Sequence, residues 1–135
     1  MRKVFRVILS LLILCSLWGC SVQKLSIEKL RDIDFTVVEK EDIPEELAAM
    51  IAEKETQVFK LTYADQGALY VAEGYGKQPT SGYSIEVKEC YETDNAIYVR
   101  TNLIGPAKDE KIVDTDTYPY IVIKMEFIDK NIVFE

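Results

Sequence analysis

A two-residue alternation of apolar and polar side chains is the feature that most constrains the fold of this chain. It recurs in short segments rich in β-branched and aromatic residues, a pattern typical of strands with one buried face. Turn sequences such as Asp65-Gln66-Gly67 and Thr93-Asp94-Asn95 separate neighbouring segments and predict hairpins. The sequence therefore predicts strands over 33–38, 57–63, 68–73, 83–91, 96–103, 121–127 and 132–134.

One segment departs from this period. Leu47, Met50 and Ile51 recur at helical spacing, so they share one face of a helix. Asp42 is placed to cap the start of that helix, and Pro44 lies in its first turn, where no hydrogen bond is lost. The predicted class is α+β: a small, mostly antiparallel β-sheet, either curled or sandwich-like, with one helix packed on it.

The first twenty residues resemble the signal of a bacterial lipoprotein. Arg2, Lys3 and Arg6 form a positive region before the apolar stretch 7–18. That stretch is shorter than the roughly 20 residues a membrane span needs, but it suits a signal peptide. It ends in Leu17-Trp18-Gly19-Cys20, which resembles a lipobox, where a small residue precedes the cysteine that becomes lipidated.

These features divide the chain into a signal peptide (1–19), a lipidated Cys20 with its tether (20–31) and a single domain (32–135). They predict an extracytoplasmic domain that the lipid on Cys20 anchors to the membrane. Two alternatives stay open: an uncleaved N-terminal anchor in which Cys20 is incidental, and a soluble form released by a second cleavage.

Charge and residue types narrow the possible functions. The predicted signal holds three of the sixteen basic residues and none of the 23 acidic ones, which leaves a net charge of −10 on the remainder. Nucleic acid and anionic lipid would repel such a domain. The chain has no histidine, the commonest general base and zinc ligand. We therefore expect a non-catalytic protein without a cofactor or metal.

We interpret two further groups of side chains, one thiol and four carboxylates, as structural rather than functional. Cys90 is the only thiol left after signal removal and lipidation, and its acidic neighbours oppose thiolate formation, so we interpret it as structural. Asp109, Glu110, Asp114 and Asp116 could gather a calcium ion, but they lack the EF-hand spacing. We interpret them as a solvated acidic loop.

The segment 74–83 is unusual in composition, because it holds three of the six glycines together with Pro79. Glycine permits positive φ, proline stiffens the backbone, and Thr80 and Ser81 can hydrogen-bond to nearby backbone. A rigid, shaped loop carried on strands is a common binding element, although a purely structural connection is the alternative. The predicted partner-binding residues are Gly74, Tyr75, Gly76, Lys77, Gln78, Pro79, Thr80, Ser81, Gly82 and Tyr83.

This loop begins a series of motifs that resembles the C-terminal domain of the PrcB family. The motifs are Pro79-Thr80-Ser81-Gly82-Tyr83-Ser84-Ile85, Glu92-Thr93-Asp94-Asn95, Ile97-Tyr98-Val99, Gly105-Pro106 and Thr117-Tyr118-Pro119-Tyr120. The founding members are lipoprotein subunits of a bacterial surface protease complex. The resemblance implies an accessory module that assists or stabilises a protein partner, such as a protease.

A second resemblance involves the same loop. Pro79-Thr80-Ser81-Gly82-Tyr83 is similar to a loop of the chagasin family, β-sandwich inhibitors that wedge it into the cleft of a cysteine protease. Gln78 stands where that family has asparagine. It implies, as an alternative, a protease inhibitor that uses the 74–83 loop. A lipoprotein that carries a small ligand or glycan is a third possibility.

Overall fold

The computed structural model describes residues 28–135. The predicted signal peptide, Cys20 and the tether up to residue 27 lie outside the described residues. Two four-stranded, mostly antiparallel sheets pack face to face across an apolar core, and one α-helix covers the outer face of one of them. The predicted α+β class is confirmed, and of the two predicted sheet forms the sandwich-like one is present.

The strands are β1 (Arg31–Asp32), β2 (Thr36–Val37), β3 (Val58–Asp65), β4 (Ala68–Tyr75), β5 (Ser84–Glu92), β6 (Ala96–Ile104), β7 (Tyr120–Glu126) and β8 (Asn131–Phe134). A 3₁₀ turn spans Lys40–Asp42, and the helix α1 spans Glu45–Lys54. Sheet 1 has the order β1-β5-β6-β8, and sheet 2 has the order β2-β7-β4-β3. Every neighbouring pair is antiparallel except β6 and β8, which run parallel.

The two predicted hairpins are confirmed. Gln66 and Gly67 join β3 to β4 with φ values of 48° and 77°, the positive values that let a two-residue turn follow the strand twist. Between β5 and β6, the Thr93 hydroxyl accepts hydrogen bonds from the N–H groups of Asn95 (3.3 Å) and Ala96 (3.2 Å). The turn residues thus fix the registers of both hairpins.

The central strand β4 is buried on both faces because it lies between two cores. Leu69 and Val71 point between the sheets, whereas Tyr70 and Ala72 point toward α1. The helix covers that second face with Leu47 and Ile51, as the helical spacing predicts. No helix within residues 28–135 is both long and apolar enough to span a bilayer.

The start of the helix differs from the prediction. Asp42 closes the preceding 3₁₀ turn by donating its N–H to the Glu39 carbonyl (2.9 Å), and Pro44 occupies the capping position without a side-chain cap. The prediction that Asp42 caps α1 is therefore wrong. The extended Ile43 separates the two turns, so the Asp42 side chain lies too early in the chain to reach the helix.

The predicted first strand, 33–38, is also wrong, because the chain forms two short strands in different sheets. β1 pairs with β5 in sheet 1, and β2 pairs with β7 in sheet 2. Between them Ile33 enters the core, with 6% of its surface exposed. The segment thus crosses from one sheet to the other. The contact with sheet 1 begins before β1, at Leu30, whose N–H donates to the Glu92 carbonyl (2.8 Å).

A β-bulge in β5 changes which side chains face the core. Val87 pairs with Thr101 and Glu89 pairs with Arg100, so Lys88 is the extra residue. Strict alternation from Ile85 and Val87 would turn Glu89 inward. The bulge instead directs Cys90 into the core and leaves Glu89 at the outer face.

Candidate functional site

The loops that follow β4 and β6 lie against each other at one end of the sandwich. Gln78 and Thr117 exchange two backbone hydrogen bonds of 2.8 and 3.0 Å. Ser81 donates its N–H to the Val113 carbonyl (3.0 Å), and its hydroxyl accepts the Val113 N–H (2.8 Å). The Thr117 hydroxyl donates to the Thr80 carbonyl (2.7 Å). We call residues 76–83 and 105–119 the paired loops.

The polar side chains of the predicted loop are largely used within the paired loops. The Thr80 hydroxyl donates to the Ser81 carbonyl (3.0 Å), and the Lys77 ammonium lies 3.2 Å from an Asp116 carboxylate oxygen. Thr80 and Ser81 therefore fix the loop conformation. The exposed members of the predicted set are Lys77, Pro79 and Gly82.

Gly82 is required by conformation and by space. Its φ is 91°, in the left-handed region that favours glycine, and a Cβ atom there would lie 2.8 Å from Cβ of Pro106. The close approach to Pro106 lets the two loops meet at this point. A larger residue at position 82 would push them apart.

Two of the predicted loop residues belong to a strand. Gly74 and Tyr75 are the last residues of β4, so the connection begins at Gly76 rather than at Gly74. Gly74 is buried beneath the Phe59 ring. The Tyr75 hydroxyl hydrogen-bonds to the Thr101 hydroxyl, which donates to the Glu73 carboxylate (2.9 Å). Tyr75 thus links the two sheets beneath the paired loops.

The second of the paired loops adds apolar surface that sequence analysis missed. Ile112 and Val113 are 44% and 62% exposed, and Ile104, at the end of β6, is 41% exposed. With the exposed Pro79 they give one end of the sandwich several apolar side chains in a rigid backbone setting. The sequence signal for this surface was the apolar pair Ile112-Val113 in a mostly polar loop. The loop was interpreted from its acidic residues, so the pair was not recognised.

The acidic residues of this loop are dispersed. A Glu110 carboxylate oxygen accepts the Ala107 N–H (3.1 Å), while Asp116 pairs with Lys77. Within residues 28–135 no group of three or more carboxylate, cysteine or histidine side chains is placed to hold a metal ion.

Cys90 lies far from the paired loops, near the other end of β5. It is 6% exposed, and burial raises the pKa of its thiol to about 11, with a smaller contribution from the negative charge of Asp32. The thiol is neutral at physiological pH and packs as a small apolar group.

Comparison with known proteins finds a family resemblance in the part of the molecule that contains the paired loops. Neither a curated protein nor a solved structure matches the chain. Residues 69–126 match the family model described as PrcB C-terminal. The match runs from β4 through β7, so it contains the paired loops and excludes α1, β3 and β8. It confirms the resemblance that the sequence motifs predict: residues 69–126 are similar to the PrcB C-terminal family.

Proposed function

We propose that this protein is a non-catalytic surface lipoprotein that binds another protein through its paired loops. Its role would be that of an accessory or stabilising subunit of a protease complex. The observation that carries the proposal is the exposed apolar surface of Pro79, Ile112 and Val113 on two loops that hydrogen bonds lock together. Rigid loops with apolar tips bind proteins at low entropic cost. The PrcB match supports a partner such as a protease.

The anchoring part of the proposal agrees with the strand directions. β5 runs from Ser84, next to the paired loops, to Glu92, which accepts a hydrogen bond from Leu30 where the described chain begins. The eight residue steps between these ends span about 27 Å. A lipid on Cys20 would therefore hold the domain by the end opposite to the paired loops.

The non-catalytic part rests on residue chemistry. The chain has no histidine, and the Cys90 thiol is buried and protonated. Neither property suits a nucleophile, which needs an accessible thiolate or a neighbouring base.

The proposal is tested by capturing the partner from envelope extract. We expect Ile112→Ser with Val113→Ser to reduce retention of the partner at least tenfold, because both side chains are exposed and the backbone bonds of Val113 remain. Val37→Ser is the matched control, since Val37 is 58% exposed on a different part of the surface. Equal retention by the double variant and the control, at unchanged melting temperature, would exclude the paired loops as the binding site.

The alternatives predict other outcomes. As an inhibitor, the protein would suppress a papain-like protease stoichiometrically. We expect no inhibition, because residues 78–81 are joined along one side to the second loop instead of projecting alone. A small-ligand carrier has less support, since the groove of about 670 Å³ beside Phe35 and Lys124 is wide open. Ligand pockets usually enclose most of their ligand.

A further inference from the structure

Sheet 1 has a free edge beside the paired loops. β8 pairs with β6 over residues 96–99, and the Glu135 N–H donates to the Val99 carbonyl (2.9 Å), but β6 continues to Ile104. Because backbone groups alternate sides along a strand, the N–H and C=O of Thr101 and Leu103 point the same way as those of Val99. No segment within residues 28–135 pairs with them on that side. We call residues 101–104 the β6 ledge.

The space beside the ledge lies over an uncovered part of sheet 2. The Lys60 ammonium sits 5.4 Å from the centre of the Phe134 ring, which shows that β8 lies opposite β3. Val58 is two residues from Lys60 on the same face, toward the paired loops, and is 70% exposed. A strand that continued the line of β8 along the ledge would therefore cover Val58.

Lys60 is an exposed cation at this place. Lys60 forms no salt bridge within the described part of the chain, and its directly opposite neighbour, Glu73, is buried and accepts a hydrogen bond from Thr101. An incoming strand would place alternate side chains toward Lys60 and Val58. A carboxylate beside an aliphatic residue would match that pair.

We infer that the β6 ledge receives an extended segment of the protein partner by strand addition. The segment pairs with Thr101 and Leu103, covers Val58 with an aliphatic side chain and places a carboxylate near Lys60. This rests on the proposed function and deepens it, because Gly105 joins the ledge directly to the paired loops. The ledge offers only about four residues of pairing, so strand addition supplements the loop contact.

The inference is tested with a synthetic octapeptide that alternates valine and threonine around a central glutamate. Added at millimolar concentration to the full chain, it should slow hydrogen exchange at the amides of Thr101 and Leu103. A peptide with lysine in place of glutamate should protect these amides at least several-fold less. Absence of protection would overturn the inference, as would protection confined to the free edge of β3. Protection that appears without peptide, together with dimer formation, would assign the ledge to a second copy instead.

Two variants test whether peptide protection depends on backbone pairing at the ledge and on the charge of Lys60. Leu103→Pro removes an N–H that points to the free edge, whereas the bonds to β5 come from Asn102 and Ile104. It should abolish peptide protection. Lys60→Glu should reverse the preference between the two peptides, and it serves as the test if Leu103→Pro lowers stability. Its control is Lys88→Glu, an exposed lysine on the bulge of β5. An unchanged preference after Lys60→Glu would refute the assigned contact.

Failure of this inference can be told apart from failure of the proposed function. If Leu103→Pro retains the envelope partner like the unmodified chain while Ile112→Ser with Val113→Ser does not, the loops bind and the ledge does not. If neither variant affects retention, the binding site lies elsewhere and both proposals fall.

Discussion

Gly74 belongs to the segment predicted as a binding loop, but the structure gives it a role in core packing. It lies opposite Phe59 on the neighbouring strand, and a Cβ atom at position 74 would come within 2.2 Å of the Phe59 ring. We expect Gly74→Ala to lower the free energy of unfolding by about 1–3 kcal/mol, because the ring must move out of a packed core. Urea unfolding measures the change.

Gly105→Ala is the control for this prediction. A Cβ atom at Gly105 would lie 3.6 Å from Tyr83, an ordinary contact, and should change stability little. Equal unfolding midpoints for the two variants would mean that the Phe59 ring does not need the space above Gly74.

At the level of residue types, the sequence indicated the environment of some side chains. The acidic neighbours of Cys90 indicated a structural thiol, and the glycines and proline of 74–83 indicated a shaped loop. What it could not show was position. Gly74 and Tyr75 ended up within a strand, because strand length depends on pairing with β3 and β7 rather than on local composition.

Among the structural elements, β1 is held to its sheet by an ion cluster. The Glu92 carboxylate, 11% exposed, lies 2.7 Å from both the Arg31 guanidinium and the Lys130 ammonium. Hydrogen bonds from Lys130 and then Arg31 lower the pKa of Glu92 below its ordinary value. The cluster thus ties β1 and the connection between β7 and β8 to the end of β5.

A pH dependence follows from the lowered pKa. A carboxylate with a depressed pKa in the folded state contributes stability above the unfolded value, about 4.3, and loses it as pH falls through the folded value. Glu92→Gln should therefore lower the melting temperature at neutral pH. The difference in melting temperature between Glu92→Gln and the unmodified chain should begin to shrink as the pH falls below the unfolded pKa of about 4.3.

Thermal melts of Glu92→Gln and of the unmodified chain, at neutral pH and in acid, measure this effect. Glu86→Gln, which removes a 3.4 Å ion pair with Lys88 on the exposed face of β5, is the control and should change little. A Glu92→Gln penalty that stayed constant into acid would show that lost packing, not charge, causes it.

The elements themselves differ in how far sequence could predict them. The alternation of β3 and the turns at Gln66-Gly67 and Thr93 gave both hairpins, since these signals are local. The bulge at Lys88 and the crossing of Ile33 between sheets depend on contacts distant in sequence. A run of β-branched residues carries no mark of where the chain leaves one sheet for the other.

For the molecule as a whole, the paired loops and the start of the described chain, at Leu30 and Arg31, lie at opposite ends of β5. The sequence predicted the 74–83 loop but not its pairing with the second loop. The bonds of Gln78 to Thr117 and of Leu30 to Glu92 join segments far apart in the chain, so this arrangement could be read only from the fold. The pairing of β5 with β1 fixes which end of β5 lies near Leu30 and Arg31.

That arrangement predicts how a lipidated molecule presents its loops. With Cys20 lipidated in vesicles, a fluorophore on Asp94→Cys should transfer more energy to acceptors in the lipid surface than one on Lys77→Cys. Asp94 lies in the turn after β5, at the end where the described chain begins, whereas Lys77 lies in the paired loops at the other end of this strand, which is about 27 Å long. Cys90 is buried, so labelling is confined to the introduced cysteine. Equal transfer from both sites would mean that the tether lets the domain turn freely, and the loops would then meet partners at any height above the membrane.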